Sequence, residues 1–138
     1  MSKYTAVIDS SVLLGYKSGD IGCQNLLYKA IDGDIEIIIS PLSVSKIWSS
    51  QDFDRKSEIG YLGLLEFMTM FPIDIETATK TGHTLRESSA DINVDLEVAN
   101  IVSICNISGY PLVTNRPELY DDLFDGAINC EEAINKLN

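Results

Sequence analysis

Two aspartates stand where a fold could put them to chemical use. Asp9 closes the short, apolar, β-branched run from Tyr4 to Ile8 and is followed at once by Ser10 and Ser11, the pattern of a buried parallel strand ending at a functional edge. Asp95 lies in the first turn of a stretch in which Val94, Val98, Ile101, Val102 and Cys105 recur at helical spacing, where the positive end of the helix dipole favours a carboxylate. A third polar position, Asn115, follows the apolar run from Pro111 to Thr114. Each acid also has a purely structural use, Asp9 as the N-cap of the turn from Ser10 to Leu14 and Asp95 as a dipole partner.

Several kinds of site are excluded by what stands beside these residues. The glycines and Lys17-Ser18 between Gly15 and Gly19 lack the spacing of a phosphate-binding loop, and no dinucleotide fingerprint or nucleophile-elbow serine is present. A phosphoaspartate phosphatase would want an acid two residues after Asp9, where Ser11 stands. With His83 as the single histidine, a site built from several histidines is impossible. Cys23, Cys105 and Cys130 are far apart and form no CxxC pair, so neither a disulfide framework nor a structural zinc site is expected.

The elements that must position the two aspartates alternate between strand and helix. Strand-like segments run from Tyr4 to Ile8, from Ile35 to Ile39 and from Pro111 to Thr114. Helical patterns cover Ile21 to Ile31, the segment after Ser40-Pro41 through Val44, Ile47 and Trp48, the span from Ile59 through Met70, Ile75 to about Ser89, the stretch after Asp95, a short piece from Glu118 to Phe124, and a last helix from Asn129 to Leu137. The residues from Ser49 to Ser57 read as a connection. Ser40 is set to cap its helix, with Pro41 at the first position. This alternation predicts one α/β domain over residues 1–138, three-layered, with a mostly parallel sheet flanked by helices on both faces and ligands at the C-terminal ends of its strands, where Asp9, Ser40 and Asn115 fall.

The chain carries 21 acidic and 10 basic side chains, a formal net charge of -11. That balance argues against holding nucleic acid by a broad basic face, so any RNA contact has to be local. The apolar runs are far shorter than the roughly 20 residues a bilayer requires, and Met1-Ser2-Lys3 leads straight into the first strand. A cytoplasmic protein without a membrane partner is expected.

In this order and spacing, the segments resemble the PIN-domain family, which includes the toxin ribonucleases of toxin–antitoxin pairs. Val7 to Leu13 looks like the family's opening motif, Ser40 to Trp48 its second, Asp95 to Cys105 its acidic helix, and Leu112 to Asn115 its final motif. The resemblance implies Asp9 and Asp95 as catalytic carboxylates holding Mg2+ or Mn2+, hard ions that suit oxygen ligands and activate water for attack on a phosphodiester. It further implies Ser10 or Ser11 as the small hydroxyl beside the first acid, RNA as a possible substrate, an antitoxin-like protein as a possible partner, and a homodimer.

Two positions depart from that pattern. Lys46 stands where a glutamate is expected and Arg116 where an aspartate is expected, turning a pocket of four carboxylates into two carboxylates and two cations. Either cation near Asp9 and Asp95 would compete with a divalent ion. The leading expectation is therefore a PIN-like domain with a degenerate metal pocket, impaired or inactive as a nuclease and retained for binding or assembly. The alternative is an active metal-dependent endoribonuclease. In it, Glu118 or Asp91 supplies a missing acid, while Lys46 and Arg116, with Ser10, Ser11, Thr114 and Asn115, contact the substrate.

Overall fold

A computed structural model describes residues 3–88 and 94–137. Four strands, β1 (Tyr4–Ile8), β2 (Ile35–Ile39), β3 (Met68–Met70) and β4 (Leu112–Val113), form one sheet in the order β3-β2-β1-β4. Every pairing is parallel, with Val7 opposite both Ile38 and Leu112. The helices are α1 (Ser10–Ser18), α2 (Ile21–Ile31), α3 (Pro41–Trp48), α4 (Arg55–Leu65), α5 (Ile75–Glu87), α6 (Leu96–Ser108) and α7 (Cys130–Leu137), with a 3-10 turn at Pro117–Tyr120.

Helices on both faces explain why β1 and β2 read as nearly continuous apolar runs. Alternate side chains of β1 enter opposite cores. Ala6 and Ile8 pack with Val12, Leu26, Leu27 and Ile47, whereas Val7 packs with Ile38, Val98, Ile101, Leu112 and Tyr120. The expected three-layer α/β architecture is the one observed.

Most helix ends follow local chemistry. Asp9, Asp20, Ser40, Asp54, Asp74 and Asp95 each cap a helix by accepting a backbone N–H with the side chain. Asn129 caps α7 in the same way, while Glu132 accepts the Asn129 N–H in return. Gly19 and Gly109 end α1 and α6 with φ of 93° and 78°, conformations that disfavour any side chain.

Three local expectations are corrected. The span from Phe67 to Met70 is not helix: α4 ends at Leu65, and Met68–Met70 is the edge strand β3, because the open edge of β2 offers backbone partners that a sequence pattern cannot display. The connection from Ser49 to Ser57 is shorter than expected, since Asp54 caps α4 from inside it. Asp95 is the N-cap of α6 rather than a first-turn residue. Ser89 and Asp91 lie outside the described residues. No helix among the described residues is long and apolar enough to cross a membrane.

Candidate active site

In a parallel sheet ordered 3-2-1-4, the chain leaves β1 toward one side and reaches β4 on the other, which opens a crevice at the C-terminal ends of these two strands. Asp9 lies there, only 3% exposed. One carboxylate oxygen accepts the Ser11 N–H at 3.1 Å and the Ser11 hydroxyl; the other accepts the Thr114 hydroxyl at 2.7 Å and the Tyr120 hydroxyl at 2.8 Å. All four donors are neutral. Among the described residues no lysine or arginine pairs with Asp9.

The same hydroxyls strap β4 to β1. Ser11 Oγ accepts the Asn115 N–H at 2.8 Å, and Thr114 Oγ accepts the Arg116 N–H at 3.0 Å. The predicted positions Ser11, Thr114 and Asn115 therefore meet around Asp9. Burial, and then the adjacent Asp9 charge, push the Tyr120 phenol well above its usual range and keep it a donor. The buried Cys105 thiol is pushed up to about 12 by burial and by the same carboxylate.

A second acidic group sits at the N-terminus of α6. Asp95 accepts the Val98 N–H at 2.9 Å with one oxygen and holds Lys46 Nζ at 2.6 Å with the other. Glu97, in the first turn of α6 and almost wholly buried, accepts both the N–H and the hydroxyl of Ser10 at 2.9 Å. Lys46 Nζ also lies 3.5 Å from Glu97, so one ammonium, reaching from the last turn of α3, serves two carboxylates. Partial burial works against the charges of both Lys46 and Asp95. Their mutual contact outweighs it, with Glu97 adding to the lysine side and the Val98 N–H to the aspartate side. Lys46 is held above the usual lysine value and Asp95 below the usual carboxylate value.

Arg116 behaves differently. Its guanidinium is 56% exposed and lies 3.9 Å from Glu118, itself exposed, so these two residues form a loose surface pair instead of joining Asp9. The structure thus brings Asp9, Ser10, Ser11, Lys46, Asp95, Thr114 and Asn115 to one edge and leaves the side chains of Arg116 and Glu118 outside the buried network.

Sequence reasoning missed Glu97 and Tyr120. A signal for Glu97 existed: it opens the largely apolar run to Cys105, all of which is buried in α6, and a charged side chain there needs an explanation. Asn100 has one. Its amide bridges the Ser40 hydroxyl, 2.5 Å away, and the Thr81 hydroxyl at 3.1 Å, joining α3, α6 and α5 behind the site.

Both Asp9 oxygens accept hydrogen bonds from neutral donors, and the Lys46 ammonium contacts both Asp95 and Glu97. Among the described residues no group of three or more potential ligands converges.

The parallel four-stranded sheet with helices on both faces has the PIN-like α/β fold. No protein-family model and no curated protein sequence matches the chain. Solved structures share the fold at low identity. DNA-bound VapBC from Salmonella typhimurium matches at 13% identity over 94% of this chain and 99% of that one, with a TM-score of 0.72. VapBC2 from Rickettsia felis, bound to a DNA fragment from its promoter, matches at 13% identity over 91% and 98%, TM-score 0.70. A toxin–antitoxin complex from Klebsiella pneumoniae matches at 14% identity over 91% and 97%, TM-score 0.69.

Proposed function

We propose that this protein is a PIN-like domain whose acidic pocket is neutralised from within, so that it is impaired or inactive as a metal-dependent nuclease and works by binding a protein partner. The observation that carries this reading is the position of Lys46 Nζ, 2.6 Å from Asp95 and 3.5 Å from Glu97. A lysine there supplies one of the two positive charges that a Mg2+ or Mn2+ ion would bring, without the Lewis acidity that lowers the pKa of a bound water. The similar structure from Klebsiella is a toxin–antitoxin complex and those from Salmonella and Rickettsia are VapBC and VapBC2 bound to DNA, which supports an antitoxin-like partner. A groove of about 670 Å3 along α4, lined by Tyr16, Ile31, Tyr61, Leu64 and Phe67 together with the charged Lys17, Asp54, Lys56 and Glu66, would give such a partner a mixed apolar and charged seat. Ile59 and Leu62 of α4 are exposed as well.

A second reading, an active Mg2+- or Mn2+-dependent endoribonuclease, is favoured by one observation: Lys46 is 43% exposed and its flexible stem lets it swing to solvent. Asp9, Asp95 and Glu97 would then remain as acids at one edge. Calorimetric titration of Mn2+ into the protein, alongside Lys46→Glu and Asp9→Asn, separates the two. Under the first reading the native protein gives no saturable heat up to millimolar metal, whereas Lys46→Glu gains binding that adding Asp9→Asn removes. Micromolar to sub-millimolar binding by the native protein, with RNA cleavage that Asp9→Asn abolishes, would establish the second.

A further inference from the structure

Three free cysteines are buried in the structure, and two of them touch. Cys23, in the first turn of α2, and Cys130, the first residue of α7, have their sulfurs 3.3 Å apart although 107 positions separate them in the chain. The third, Cys105, belongs to the core on the opposite side of the sheet. We propose that Cys23 and Cys130 are a modification site: a dithiol that closes to a reversible disulfide and fastens the C-terminal helix α7 to α2.

The surroundings fit this use. A disulfide needs sulfurs about 2.05 Å apart, so the pair has to close by a little over 1 Å. The Cys23 sulfur sits beside α1 at Gly15, where a β-carbon built on that glycine would lie 2.6 Å from it. The same missing β-carbon would stand 3.2 Å from the Asn115 amide nitrogen, so the thiol pair lies directly behind the β4 end of the candidate site. α7 is the last helix and packs on α2; its Glu131, Glu132, Asn135 and Lys136 are exposed while Cys130 and Ala133 face inward.

Neither sulfur is accessible while α7 is docked, so the exchange runs through the undocked helix. The oxidant is a low-molecular-weight disulfide. One protein thiolate attacks it, forming a mixed disulfide and expelling one small thiolate. The second cysteine then attacks the protein sulfur of that mixed disulfide and expels the other, so two protein thiols lose two electrons and one small disulfide becomes two small thiols. The hydrogen bond with the Cys130 thiol, and then burial, raise the Cys23 pKa in the docked state, which makes the docked pair slow to react. The second attack takes place as α7 redocks and brings the two sulfurs together, and the new bond closes a long loop and locks the helix in place.

The experiment equilibrates the native full-length protein with oxidised and reduced glutathione at graded ratios, followed by alkylation, peptide mapping and thermal melting. The expected result is a Cys23–Cys130 cross-linked peptide, Cys105 alkylated in the same sample, and a melting temperature raised by at least about 5 °C that dithiothreitol reverses. Cys130→Ala should melt at one temperature under both conditions. Because the native protein is its own reference, a poorly folded variant does not blunt the test. Glutathione adducts without the cross-link, preferential oxidation of Cys105, or a cross-linked form that melts no higher than the reduced one would each overturn the proposal.

Discussion

Replacing Lys46 by methionine keeps most of the stem and removes the charge, leaving Asp95 and Glu97 without their shared cation. At an effective dielectric of 20, unit charges 3.5 Å apart attract by about 5 kcal/mol, an upper figure for the Glu97 contact. Solvent screening reduces it steeply, because Lys46 and Asp95 are 43% and 47% exposed and exposed pairs contribute roughly 0.2–1 kcal/mol. Glu97 is only 7% exposed, but it keeps two donors from Ser10 when the lysine goes. Lys46→Met should therefore lower stability by about 1–2 kcal/mol at neutral pH.

The loss should depend on pH in a definite direction. Asp95 is held below its ordinary value, so its contribution is present above about pH 3.9 and fades as pH falls through the lower folded value. Lys46 is held above its ordinary value, so its contribution is complete below about pH 10.4 and fades as pH rises through the higher folded value. Urea denaturation of native and Lys46→Met protein from pH 3 to pH 9 should show a nearly constant gap above pH 5 that narrows toward pH 3. A double-mutant cycle with Asp95→Asn, which retains the helix cap, should return a coupling of about 0.5–1 kcal/mol. A variant as stable as the native protein at every pH, or a gap that widens in acid, would refute the reasoning.

Two further outcomes follow from the packing. Tyr120→Phe deletes one of the four donors that hold the buried Asp9 carboxylate and should lower stability by about 1–3 kcal/mol in chemical denaturation, whereas an unchanged midpoint would show that the hydroxyl bond contributes nothing. Gly15→Ala puts a methyl group 2.6 Å from Cys23 Sγ and 3.2 Å from the Asn115 amide, so it should cost about 1–3 kcal/mol and lower the melting temperature, although alanine is the better helix former; a higher melting temperature would mean that Cys23 yields freely.

Features that depend on a few neighbouring residues are legible along the chain. The strands Tyr4–Ile8 and Ile35–Ile39 are short β-branched runs bounded by turn and cap residues, and the helix caps at Ser40 and Asn129 are satisfied within three positions. Asp9 was legible for the same reason, standing at the point where an apolar strand gives way to hydroxyls. Strand β3 was not, because three residues after a helix are too few to carry a period and their pairing lies with Ile37 to Ile39, some thirty positions away. The site divides along the same line. Sequence motifs brought Asp9, Asp95 and Lys46 into one group, but only the packing of α6 beside β1 carries Glu97 to Ser10, and only the 3-10 turn after β4 delivers the Tyr120 hydroxyl to Asp9. Whether a basic residue pairs with the acids or turns to solvent is likewise a matter of reach. Lys46 extends from the end of α3 across to the head of α6, while Arg116 finds Glu118 two residues away, and no spacing along the chain distinguishes those two outcomes, because ion pairing depends on distance in space.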